Sequence, residues 1–196
     1  MKNIILASVL FSLACAAACA GTPAKGGGAA YKKYSMDNNY FSCSIPSAWA
    51  LSRDKDGDDK YKIYEIQLDA PKAEKVATSI KIAFYAKDST DFSDFQNFID
   101  RNSTNALGET KSEREVYEPV KKIKLGARKA FELSREMMQY LHPESKSDES
   151  VQLKEKLYVV PAKEGFYVIS FSAEKTAFLA NLPVFEKVAK SFKGKP

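Results

Sequence analysis

Histidine and cysteine are scarce in this chain, and that scarcity removes whole classes of chemistry. Of 196 residues, one is histidine (His142) and three are cysteine. Cys15 and Cys19 lie close to the start, which leaves Cys43 alone in the body of the chain, so no internal disulfide can staple it. No C-x-x-C, H-E-x-x-H, Walker or G-x-G-x-x-G pattern occurs, which argues against zinc enzymes, nucleotide hydrolases and dinucleotide enzymes. A G-x-S-x-G elbow is missing too, and His142 sits beside Pro143 in a polar stretch, where a surface histidine is expected rather than a base. The formal charge is +5, but 30 basic and 25 acidic residues interleave along the chain. Such mixing describes a solvated surface, not a nucleic-acid footprint.

The single long apolar run stands at the front. Lys2 supplies a positive start, residues 4–13 are apolar, and residues 14–21 are small apart from the two cysteines. Charge, apolar run and small residues in that order make a secretory signal, too short for a membrane span. A cysteine closing such a stretch resembles the lipobox of bacterial lipoproteins, in which it is acylated and becomes the anchor. Ala16-Ala17-Ala18-Cys19 fits that pattern, and Ser12-Leu13-Ala14-Cys15 fits it less well. Ala18-Cys19-Ala20 also reads as an A-x-A site for ordinary cleavage before Gly21. The expected layout is therefore a leader over residues 1–18, or 1–20 in the alternative. A Gly-, Ala- and Pro-rich tether follows over 19–38, and one domain over 39–196.

Within the domain, hydrophobic periodicity predicts mostly strands. Residues 40–45 alternate up to Pro46, with Cys43 expected as a small buried hydrophobe, and residues 49–52 resume. In 60–68 one face carries Tyr64, Ile66 and Leu68, and in 76–85 one face carries Val76, Thr78, Ile80, Ile82 and Phe84. The spacing of Phe92, Phe95, Ile99 and Leu107 predicts a helix over 89–107, capped near Ser89 to Asp91 and stopped by Gly108. Two hairpins follow, residues 116–125 with 127–140 turning at Gly126, and 153–160 with 166–173. The chain closes with a short turn over 174–181 and a main helix that starts at Pro183. Short connections between strands imply an α+β fold with a largely antiparallel sheet and helices on its faces.

Two stretches carry a resemblance. Phe166-Tyr-Val-Ile-Ser-Phe-Ser-Ala173, followed by Pro183-Val-Phe-Glu-Lys-Val-Ala-Lys-Ser-Phe192-Lys, resembles the C-terminal signature of PsbP-like proteins. Phe41-Ser-Cys-Ser-Ile-Pro46-Ser-Ala-Trp49 is similar to the opening of the same family. The resemblance covers roughly residues 40–193 in element order and rests mostly on packing residues, which say little about function. It implies an α/β/α sandwich around a central antiparallel sheet, and the lipobox-like start points to the bacterial lipoprotein branch.

Two constellations carry candidate chemistry. Asp54, Asp56, Asp58 and Asp59 place four carboxylates in a short run that could hold calcium, with Glu65 at the twelfth position. Gly57 is misplaced for such a loop and Lys60 and Lys62 intrude, so an Asp/Gly turn is the plainer expectation. A basic strip of Lys121, Lys122, Lys124, Arg128 and Lys129 could face anionic lipid or an acidic partner, or serve as a solvated edge that discourages aggregation. The reading as a whole is a non-catalytic bacterial envelope lipoprotein, held at a membrane by Cys19 (Cys15 in the alternative), with its domain in the periplasm. It binds a protein partner or stabilises an envelope complex, and binds no nucleic acid. No cofactor is expected, calcium being the one cation considered. The alternative is a soluble periplasmic module for a small ligand or metal ion.

Overall fold

A computed structural model describes residues 30–71 and 74–195. The leader, Cys15, Cys19 and the first part of the tether lie outside the described residues. Order begins earlier than residue 39, because β1 (Tyr31–Ser35) pairs with β2 (Phe41–Pro46) inside the stretch assigned to the tether. β1 lacks period-two burial, so its sequence gave no strand signal; Tyr34 reaches Phe41, and Lys187 lies over the Tyr31 ring.

Next come β3 (Ala50–Ser52), α1 (Lys55–Tyr61), β4 (Ile63–Asp69), β5 (Ser79–Ala86) and α2 (Phe95–Asn102). After them run β6 (Glu115–Tyr117), β7 (Lys121–Leu125), β8 (Arg128–Tyr140), β9 (Ser150–Ala162) and β10 (Gly165–Glu174). The chain ends on α3 (Lys175–Ser191) and β11 (Lys193–Gly194). The larger sheet has eight strands in the order β3-β4-β5-β10-β9-β8-β6, with β7 also pairing β8, and every pairing is antiparallel. A smaller sheet runs β1-β2-β11.

Strand alternation decides which residues enter the core. Tyr64, Ile66 and Leu68 of β4 face inward with Ile80, Ile82 and Phe84 of β5, as their period predicts. On that side they meet Phe178, Phe185, Val188 and Ala189 of α3, and Phe41, Cys43 and Ile45 of the small sheet. On the opposite face α2 packs Phe98 and Ile99 against Leu133, Leu157, Val159, Phe166 and Val168. The architecture is thus α+β, a large antiparallel sheet with α2 on one face and α3 with the small sheet on the other.

Two glycines shape the turns. Gly126 (φ 60°) lets β7 reverse into β8, and Gly165 (φ 142°) begins β10 so close to β5 that an added Cβ would sit 2.0 Å from the Tyr85 carbonyl. Four local expectations are corrected. Residues 54–59 are not a turn: Asp54 caps α1 by accepting from the Gly57 amide (3.1 Å), and the acidic first turn suits the helix dipole. The helix predicted over 89–107 shrinks to α2, capped by Asp94 (2.8 Å to the Asn97 amide), and Leu107 stands exposed. Residues 116–125 break at Pro119 into β6 and β7. α3 is one continuous helix with Pro183 inside it. Pro183 lies on the exposed side, as does Leu179, whose carbonyl loses its partner, so water can replace the missing donor.

Burial sets an alkaline limit to this fold. Desolvation pushes the Cys43 thiol up to about 12. The same cause, with Glu132 and Glu186 nearby, takes Tyr158 to about 12, and burial also raises Tyr85 and Tyr167. These acids hold their protons more tightly folded than unfolded. Their contribution is therefore complete below the unfolded values of 9.0 (thiol) and 10.0 (phenol), and is lost as pH rises through them toward 12. Urea midpoints should agree between about pH 7 and pH 8 and fall clearly by about pH 11. An unchanged midpoint at the alkaline end would refute this account.

Candidate functional site

Antiparallel register lines up a polar floor on the sheet face that α2 only partly covers. One row runs Asp69–Ser79–Ser172–Glu155–Arg135 across β4, β5, β10, β9 and β8. The next runs Gln67–Lys81–Ser170–Leu157–Leu133 across the same strands. α2 spans only eight residues, so it shields the end of the face holding Tyr85 and Phe166 and leaves these rows open. The result is a groove of about 580 Å³, walled by Phe92, Phe98 and Asn102 on one side and by Met137, Gln139 and Leu153 on the other.

Three carboxylates (Glu65, Asp69 and Glu155) and two cations (Lys81 and Arg135) line the groove, and each has a partner. Arg135 Nε donates to Glu155 at 2.6 Å, with both side chains about one-fifth exposed (22% and 19%), while Lys81 lies 3.4 Å from Glu65. Asp69 accepts from the Gln67 carboxamide Nε2 (2.9 Å), and Glu174 at the margin accepts from the Val76 backbone amide (2.9 Å). Ser79, Ser170 and Ser172, by contrast, make no side-chain hydrogen bond to any described residue. Their hydroxyls are therefore free for a ligand or water. The floor can accept and donate many hydrogen bonds, while its carboxylates are occupied by cations, an amide or a carboxamide. Sequence reasoning missed Arg135, Glu155 and the serines. Alternation marks them as outward-facing, but only the five-strand register places them together.

The sequence-derived candidates scatter. Asp54 caps α1, and Asp58, 3% exposed, turns in toward Arg53, whose Nε donates to it at 2.8 Å. Asp56 and Asp59 are exposed, and no group of three or more metal-ligating side chains occurs among the described residues. Glu65 belongs to β4 and faces Lys81, apart from α1. His142 is a surface residue 3.6 Å from Glu149.

The basic strip divides by face. Lys121 is held by Glu118 (3.2 Å) and Glu132 (3.7 Å). Arg128 donates to the carbonyls of Pro161 (2.8 Å) and Lys195 (3.0 Å) and lies over the Tyr167 ring, so it fastens the chain's end. Lys122 and Lys124 alternate with Lys121 along β7 and face the other way, paired across the strand with Phe131 and Lys129.

No family model matches the chain, and no curated protein matches it in sequence. A solved structure shares its architecture. Cyanobacterial PsbP (CyanoP) from Synechocystis is 12% identical, with 89% of this chain covering 98% of that one at a TM-score of 0.53. The Ran-binding protein Mog1p of Saccharomyces cerevisiae aligns at 10% identity, 85% and 96% coverage and a TM-score of 0.47. LpqN of Mycobacterium tuberculosis, described as involved in cell envelope biogenesis, aligns at 11% identity, 85% and 91% coverage and 0.45. The fold is PsbP-like, as the resemblance at both ends of the domain implied, and at these identities the likeness is one of fold alone.

Proposed function

We propose that the protein is a non-catalytic lipoprotein of the bacterial envelope, anchored through an acylated Cys19, which binds a partner polypeptide on the open sheet face. The observation that carries the binding reading is the five-strand groove, with its free serine hydroxyls and paired charges. A polypeptide laid on such a floor gains many hydrogen bonds, while each groove carboxylate keeps the partner it already has. The carboxylates of the groove, each already held, support a binding role over acid–base chemistry. The order of charge, apolar run and small residues ending on Cys19 supports the anchor.

Two measurements on the full chain in its own envelope test the two halves. An intact mass matching a chain from Cys19 plus a diacylglyceryl group supports anchoring, and a bare chain from Gly21 overturns it. Photo-cross-linking residues placed at Ser170 and Ser172 should yield one and the same protein adduct, lost when Arg135 is changed to Glu and not formed from Lys190. Adducts at neither groove position would overturn partner binding there. The groove volume also lies within the roughly 300–1,000 Å³ of small-ligand sites, which favours a second reading as a small-molecule module. That reading gains if no adduct forms and an uncharged polar compound raises Tm.

A further inference from the structure

Three segments distant in sequence bring lysines to one corner of the large sheet. β7 supplies Lys122 and Lys124, β8 supplies Lys129, and the β9–β10 turn supplies Lys163. All four are exposed, and none forms an ion pair with a described residue. Between them lies a shallow, mostly apolar depression floored by Phe95, Phe131, Pro161 and Ala162, with the Phe95 and Phe131 rings stacked 5.7 Å apart. Glu164, the nearest acid in sequence to Lys163, lines a different hollow with Tyr40 and Tyr167.

Several lysines elsewhere on the surface are neutralised at short range. Lys121, Lys154, Lys156 and Lys175 each have a carboxylate within 3.7 Å. A solvated edge that only needed to resist aggregation would not require the apolar floor, which no carboxylate lines. Uncompensated positive charge around aromatic side chains is the composition that anionic bilayers select, since lysine stems carry their ammonium groups to phosphates while apolar groups settle at the headgroup boundary.

We propose that this corner, formed by Lys122, Lys124, Lys129 and Lys163 around Phe95 and Phe131, seats on the anionic phospholipid surface of the membrane. The inference rests on the anchored reading above and adds an orientation to it. Contact at this corner holds the domain at the bilayer in one attitude. Arg128, although at the same corner, is committed to the Pro161 and Lys195 carbonyls and contributes charge without reaching out.

The test uses the mature protein extracted from its membrane and reconstituted into vesicles of phosphatidylcholine alone, or of phosphatidylcholine with phosphatidylglycerol. Lysine acetylation rates are read by mass spectrometry. Lys122, Lys124, Lys129 and Lys163 should react about tenfold more slowly on the anionic vesicles, with Lys146 and Lys190 unchanged, as expected when ammonium groups are held at phosphates. Replacing the four lysines with glutamine should abolish protection of Phe95 and Phe131 from hydroxyl-radical oxidation, and these surface changes leave the fold intact. Equal acetylation on both vesicle types overturns the proposal, and flotation with both then shows that the anchor reading survives alone. A chain that fails to float on neutral vesicles removes the anchor reading. If it is nonetheless protected on anionic ones, the seat itself stands. An acidic protein as the true partner would appear as no protection on these protein-free vesicles, which also overturns it.

Discussion

Phe185→Ala is expected to destabilise the domain by about 3–5 kcal/mol, a large share of the roughly 5–15 kcal/mol that holds a domain this size together. Phe185 is fully buried on α3 and stacks between Phe171 (5.3 Å) and Tyr158 (5.1 Å), while Phe178 closes the string against Phe171 (4.8 Å). These rings are the joint between helix and sheet, and alanine would leave a cavity bordered by β9, β10 and the helix. The rigid sheet cannot close such a gap, so the lost contacts are not recovered. Trp49, buried at the sheet margin and the only tryptophan, provides the signal for a denaturant titration. Phe185→Leu should recover more than half of the loss, because most of the volume returns. A loss below about 1 kcal/mol for the alanine variant would mean that α3 is not an essential part of the core.

The second large effect concerns a charge. Asp58 is nearly sealed in the core side of α1 and depends on the Arg53 guanidinium, which donates through Nε at 2.8 Å and through Nη2 to the same oxygen. Arg53 also reaches Asp37 at 2.7 Å, which ties α1 to the turn before β2. Arg53→Ala would leave the carboxylate buried without a counter-ion, at an expected cost of about 3–5 kcal/mol. The double variant Arg53→Ala/Asp58→Ala should be more stable than Arg53→Ala alone, because the orphaned charge is gone. Equal stabilities for the single and double variants would show that water already reaches Asp58.

These two sites differ in how far the sequence revealed them. The stripe of Phe178, Phe185 and Val188 follows directly from helical spacing, although Phe192, at the same spacing, lies past the helix in extended backbone. Strand parity at Tyr64, Ile66 and Leu68 follows from period two, because one-sided burial is written into each segment by itself. Arg53–Asp58 is hidden because four acids in one short run read as solvated turn, and only the fold shows that one of them points inward. Helix α2 was overextended for a related reason. Phe92 has helical spacing to Phe95 and Ile99, yet it reaches Phe98 (4.8 Å) and Tyr85 (5.5 Å) from the extended segment before the cap. The groove and the lysine corner depend on register and on the meeting of distant segments, so no single window of sequence contains them. Of the basic strip, the sequence supplied the charge but not the face. Alternation on β7 sends Lys121 one way and Lys122 and Lys124 the other.

The last strand has a consequence for the order in which the protein can be made. β11 pairs Lys193 and Gly194 with Ser42 and Phe41 of β2, and the Tyr167 hydroxyl donates to the Tyr40 carbonyl (2.8 Å) while accepting from the Lys195 amide (2.9 Å). One edge of the small sheet is therefore missing until residues 193–194 are made, and the centre of the large sheet until β10 is. The hairpins β1–β2, β4–β5 and β8–β9 can pair early, whereas the contacts that join them have long sequence separation and form late. β10, between β5 and β9, and β11, beside β2, then join the separate hairpins into one domain.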